Sequence, residues 1–158
     1  MTVKEIFNIE EKTAICSGIL QALPDWFANE ESVKDYAKQV CGQMFFAAYE
    51  DTAPVGFLSL KQHNPFTAEV YVMGVLSENH RSGAGTALMQ AAEERCRAFG
   101  VRFLTVKTLD SSAEYLPYDQ TRSFYRKMGF LPLEVFTTLW DEENPCLFMA
   151  KYLWDGRD

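Results

Sequence analysis

The sequence is poor in metal-binding chemistry. Its two histidines, His63 and His80, and its four cysteines, Cys16, Cys41, Cys96 and Cys146, make no CxxC pair or other ligand spacing. Neither a zinc site nor a disulfide framework is indicated, and no metal is expected. Basic residues are scarce as well: 15 Lys and Arg stand against 22 Asp and Glu, a formal charge of −7. Contact with nucleic acid needs a basic face to neutralise phosphates, so no nucleic-acid partner is expected. The longest apolar run, Val70 to Leu76, is far short of the roughly 20 residues that cross a bilayer. The opening stretch MTVKEIFNIEEK is acidic and lacks the basic and apolar regions of a signal peptide. The expectation is a cytoplasmic protein with reduced thiols and no membrane contact.

What is present suits a buried core. The 158 residues are 47% apolar and 14% aromatic, without repeats or low-complexity linkers. One domain over residues 1–158 is expected, large enough to fold without disulfides or metal.

Hydrophobic periodicity orders the elements. Val3 to Phe7 reads as a strand, Glu10 opens a helix that Pro24 ends, and residues 30–40 form a second helix. Met44 to Tyr49 and Val55 to Leu60 read as strands around the turn at residues 50–54. Thr67 to Leu76 is a third strand of that sheet, interrupted by Gly74, where a bulge is expected. Gly83 to Phe99 is a helix closed by Gly100, and Val101 to Val106 is a strand apolar enough to be buried on both faces. Asp119 to Met128 is the last helix, followed by strands Phe130 to Trp140 and Cys146 to Trp154. A helix-connected crossover among hairpins implies an α/β fold, α+β in a stricter scheme, with helices on both faces of a mixed sheet.

The most informative stretch is the loop from Val75 to Leu88. It runs from a strand end into the first turn of the best helix, with Arg81, Gly83 and Gly85 at the junction. First-turn amides lack helical partners, and glycine lets a ligand come close, so the junction is suited to a pyrophosphate. It is neither a Walker loop nor a GxGxxG fingerprint.

His80-Arg81-Ser82-Gly83-Ala84-Gly85 resembles motif A of the GNAT superfamily of acetyl-CoA-dependent N-acetyltransferases, written Gln/Arg-x-x-Gly-x-Gly/Ala, with His80 departing from its first position. About forty residues on, Phe124-Tyr125-Arg126-Lys127-Met128-Gly129-Phe130 resembles motif B, Phe-Tyr-x-x-x-Gly-Phe. The Asn-x-x-Ala that precedes motif B in many members is replaced, with Tyr118 and Thr121 at those positions. The element order also matches the family along nearly the whole chain. The resemblance implies a mixed, mostly antiparallel sheet of about seven strands flanked by four helices.

It further implies acetyl-CoA as cosubstrate, its pyrophosphate on the amides of Arg81, Ser82, Gly83, Ala84, Gly85 and Thr86, and its thioester along Met73 and Val75. The Val75 amide is the expected oxyanion donor. Tyr125 matches the tyrosine that protonates the leaving thiolate, and an ordinary phenol pKa of about 10 keeps it protonated at neutral pH; core packing is the other reading. Glu69 matches a strand glutamate that acts as base, six residues before Val75 and on the same strand face with Tyr71 and Met73. Its alternative is a solvated strand start. Lys127 faces the adenosine 3′-phosphate or forms part of a solvated face. Trp26 and Phe27 fall where the family covers the acceptor site, or serve inter-helix packing. Lys107 and Thr108 contact a ligand or cap their strand, His63 receives no role, and Cys96 reads as core. The implied partners are acetyl-CoA and an amine acceptor, with a homodimer through the last strands. Two other functions stay open: an acetyl-CoA-binding sensor without turnover, and a protein-interaction module on the same fold.

Overall fold

A computed structural model describes residues 1–153. In chain order the elements are β1 (Thr2–Glu5), α1 (Ile9–Gln21), α2 (Glu30–Gln39), β2 (Met44–Glu50), β3 (Ala53–Asn64), β4 (Thr67–Val75), α3 (Ala84–Ala98), β5 (Phe103–Leu109), α4 (Pro117–Lys127), β6 (Leu131–Asp141) and β7 (Asn144–Tyr152). The strands form one sheet ordered β1-β2-β3-β4-β5-β7-β6. Every pairing is antiparallel except β4 with β5, the crossover that α3 connects. This is the mixed sheet with four flanking helices that the element order implies.

The helices start where polar caps satisfy their first amides. Asn8 accepts from Glu11 N–H to open α1, and Asn29 accepts from Ser32 N–H to open α2. Their apolar stripes cover one face of the sheet, where Ile15, Ile19, Leu20, Val33 and Ala37 bury Phe45, Phe57 and Val72. The opposite face packs Leu88, Met89 and Ala92 of α3 and Tyr125 of α4 on Leu58, Val70, Leu104 and Met149.

Several boundaries shift for physical reasons. β3 continues to Asn64 because Lys61, Gln62 and Asn64 are paired with β4 yet exposed, and so lack an apolar pattern. β5 begins at Phe103 because Val101 N–H still donates to Cys96 O at the end of α3. The expected last residue of the final strand, Trp154, lies outside the described residues.

The main correction concerns the bulge. Gly74 sits in regular register opposite Phe57; the irregularity falls at Tyr71, which has no β3 partner between Leu60↔Val70 and Ser59↔Val72. Gly74 serves packing instead. A Cβ there would lie 3.0 Å from Leu23 Cδ1 and 3.2 Å from Ile19 Cγ2, so its absence lets α1 approach the strand. The bulge also reverses the alternation of side chains. Val70 lies in the α3/α4 core, Tyr71 and Val72 pack toward α1 and α2, and Met73 and Val75 return to the α3 side. Glu69 and Val75 therefore do not share a face, contrary to simple two-residue counting.

The bulge opens the sheet. β4 and β5 pair only over Thr67–Val70 with Phe103–Val106, while Lys107 to Leu109 pair with β7 alone. Beyond Val70 the two parallel strands separate into a fork.

Candidate active site

Backbone geometry sets the lining of the fork. Leu76 N–H donates to Val55 O at 2.8 Å across β3 and β4. Amides alternate along a strand, so those of Met73 and Val75 turn away from β3 and face the gap. The Val75 carbonyl accepts from His80 Nε2 at 2.8 Å, which ties the fork to the loop above it.

That loop ends in an uncovered helix terminus. Arg81 and Gly83 both take positive φ, 67° and 91°, and a turn of this kind aims successive amides into one concavity. α1, α2 and α4 carry acidic residues in their first turns; α3 has none there and no capping side chain. The Ala84 amide meets Ser82 Oγ only at 3.4 Å, and the Gly85 and Thr86 amides have no partner within the helix. These residues fit a pyrophosphate. Gly85 also serves packing. A Cβ there would lie 3.0 Å from the Phe124 ring, so its absence lets α4 pack on the first turn of α3.

Tyr125 lies on α4 at the sheet, 6% exposed, with Phe124 and Phe130 edge-on at 5.6 Å. Burial pushes its phenol well above the ordinary value, and neighbouring Tyr118 and Tyr36 push the same way. The phenol is therefore protonated at neutral pH.

Glu69 is buried rather than solvated. Its Oε1 meets His63 Nε2 at 2.7 Å, and Lys107 Nζ donates to both carboxylate oxygens at 3.3 Å. Sequence reasoning does not bring His63 to the site. The only signal is strand alternation, which puts Lys61 and His63 on the Glu69 face once Lys61↔Glu69 register is known. Four residues separate Glu69 from Met73, about 13 Å of strand, so any proton transfer from the fork runs through water.

Trp26 crosses to α4. Its indole Nε1 donates to Thr121 Oγ1 at 3.1 Å and to Pro117 O at 3.2 Å, while Tyr118 Oη donates to Trp26 O. The same ring stands edge-on to His80 at 5.7 Å. Phe27 begins an aromatic series, 5.8 Å from Tyr36, which in turn lies 5.6 Å from Tyr71.

The profile of the Acetyltransferase (GNAT) family matches residues 6–130. The chain belongs to this family. It is an acetyl-CoA-dependent N-acetyltransferase. A GNAT-family protein from Desulfovibrio desulfuricans superposes with a TM-score of 0.83 at 19% identity, over 97% of this chain and 99% of its own. The aminoglycoside 6'-N-acetyltransferase from Enterococcus faecium superposes at 0.77 with 20% identity, over all of both chains. An aminoglycoside 6'-N-acetyltransferase complexed with coenzyme A superposes at 0.79 with 19% identity, again over all of both. These likenesses concern the fold. No curated protein sequence matches the chain.

Two features of this acetyltransferase are not legible in the sequence as site features. Tyr118 and Thr121, which replace the usual Asn-x-x-Ala, hold Trp26. Arg122 is buried, donates to Leu109 O at the end of β5 and pairs with Asp119, so it fixes one arm of the fork to α4. Lys127 is exposed at the far end of α4, beside Arg126, Pro132 and Val135. Among the described residues no cluster of three or more His, Cys, Asp or Glu is placed to hold a metal. No helix among them is long and apolar enough to cross a membrane.

Proposed function

We propose that this acetyltransferase moves the acetyl group of acetyl-CoA to a primary amine by direct attack in a ternary complex. The observation that carries the reading is the fork itself. Outward-facing amides of Met73 and Val75 line it, Tyr125 with its protonated phenol shares the α3/α4 core with Met73 and Val75, and the buried Glu69 carboxylate lies further down β4, where β4 and β5 are still paired. The loop residues Arg81 to Thr86 hold the pyrophosphate through backbone amides. The Met73 or Val75 amide donates to the thioester oxygen as it gains charge.

Glu69 takes one proton from the ammonium form of the acceptor through water. The freed amine attacks, so a C–N bond forms and the C–S bond breaks. Tyr125 protonates the departing thiolate, and the second proton shed by the nitrogen restores the phenol. Trp26 and Phe27 wall the acceptor side, which the aromatic series toward Tyr71 supports. The −7 charge favours a cationic acceptor, and two structural relatives are by name aminoglycoside 6'-N-acetyltransferases.

The decisive experiment is calorimetric titration with acetyl-CoA, followed by thiol release against a panel of amines. Binding with amine-dependent release supports the reading; binding without release from any amine returns the sensor alternative. We also propose a homodimer through the β6 edge, where Leu131, Leu133, Val135, Leu139 and Trp140 are exposed on a strand paired on one side only. A monomer mass in sedimentation equilibrium overturns that part. A cytoplasmic location is supported by the four free cysteines.

A further inference from the structure

Glu69 is held from two strands by groups that differ in how they respond to pH. Its side chain is 7% exposed, whereas those of His63 and Lys107 are 37% and 33% exposed. His63 engages Oε1 alone, and Lys107 reaches both oxygens. We infer that His63 and Lys107 are positioning residues for Glu69, and that the charge on His63 governs whether this carboxylate accepts the amine proton. The inference rests on the reading of Glu69 as the base.

The argument begins with charge balance. A buried carboxylate needs a cation or hydrogen-bond donors to remain ionised, and Lys107 supplies the cation. Protonated His63 adds a second cation against a single carboxylate, which holds it as an ion and opposes proton uptake. Neutral His63 still donates from Nε2 and keeps the rotamer, yet leaves only Lys107 opposing proton uptake. The remaining groups around the carboxylate cannot substitute for this change. Lys61 faces it from β3 with its ammonium over the Tyr71 ring, Tyr71 stands on β4 itself, Tyr36 and Asp35 approach from α2, and Cys146 from β7. Burial pushes Tyr36 and Tyr71 upward, away from neutral pH. Of the groups in contact with Glu69, His63 alone has a side chain that ordinarily changes charge between about pH 5 and 8. It also borders the shallow cavity formed with Gln62, Asn64, Pro65 and Phe99.

The test is the pH profile of kcat/KM for an accepted amine in wild type, His63→Gln and Lys107→Met. In wild type, activity rises as His63 loses its proton. In His63→Gln that rise between about pH 5 and 8 disappears, and the optimum rate falls on the order of tenfold with acetyl-CoA affinity unchanged. Lys107→Met lowers kcat rather than raising the KM for acetyl-CoA. A readout independent of turnover is the NMR titration of the two imidazoles: Glu69→Gln displaces the His63 midpoint and leaves that of His80 in place. Superimposable profiles for wild type and His63→Gln, or a His63 midpoint unmoved by Glu69→Gln, overturn the assignment. Transfer to no amine at all overturns the proposed function and this assignment together, whereas transfer with superimposed profiles overturns the assignment alone.

Discussion

Trp26 Nε1 donates to Thr121 Oγ1 at 3.1 Å, joining residues 95 positions apart across the mouth of the fork. The bond makes the segment after α1 and the first turns of α4 a single wall, and it places Trp26 edge-on to His80 of the phosphate loop. Thr121→Val keeps the shape and removes the acceptor. The indole retains its longer bond to Pro117 O, so a stability loss of about 1 kcal/mol is expected by urea unfolding. Acceptor KM rises while calorimetric affinity for acetyl-CoA is unchanged; an unchanged KM removes Trp26 from the acceptor wall.

Tyr125→Phe separates acid catalysis from packing. The ring contacts with Phe124 and Phe130 survive, so the fold and the cosubstrate affinity are retained. Turnover falls on the order of 10²-fold. Because burial raises the wild-type phenol, no descending limb attributable to it is expected up to about pH 10, its unperturbed value. A wild-type rate that drops below that pH, and does so only when Tyr125 is present, contradicts the donor role.

Two glycines give opposite results. At Gly83 a Cβ meets nothing within 4 Å, but φ is 91°. Gly83→Ala therefore costs about 1 kcal/mol of backbone strain and weakens acetyl-CoA binding as the turn relaxes. At Gly74 the added Cβ strikes Leu23 and Ile19. Gly74→Ala loses about 1–3 kcal/mol by overpacking, with acetyl-CoA affinity retained in the folded fraction. Paired unfolding and calorimetry experiments read both effects; equal losses of affinity contradict the separation of roles.

Alkaline pH should weaken the fold before it affects the chemistry. Burial pushes the Cys16 thiol from 9.0 up to about 12, with Cys41 adding to the rise. Burial likewise pushes the Cys96 thiol from 9.0 up to about 11, Glu93 assisting and Arg97 opposing. These raised values mean that the unfolded chain releases protons first. The stabilisation is complete below about pH 9 and is lost progressively as pH rises toward 11–12. The urea midpoint should fall across that window. A Cys16→Ala/Cys96→Ala double variant should start lower and slope less; parallel curves reject the thiols as the cause.

The legible part of the site is its local part. The Gly83 turn, the uncovered start of α3 and the Phe124-Tyr125 pair in α4 depend on residues adjacent in sequence. Residue spacing reports such features directly. The illegible part depends on register between distant segments. Nothing near Glu69 in the chain announces that a one-residue bulge falls at Tyr71 rather than Gly74, because which residue goes unpaired is decided by how β3 aligns with β4.

By itself, then, the sequence determined the order of strands and helices, the glycine turn before α3 and the Phe124-Tyr125 pair that the proposed function uses, since periodicity, capping and glycine conformation act over a few residues. Tertiary structure alone decided where the fork opens, that Trp26 bonds to Thr121, and that His63 and Lys107 meet at Glu69. Those outcomes require strands and helices tens of residues apart to pack in one register, and the buried carboxylate gains its partners only in that register.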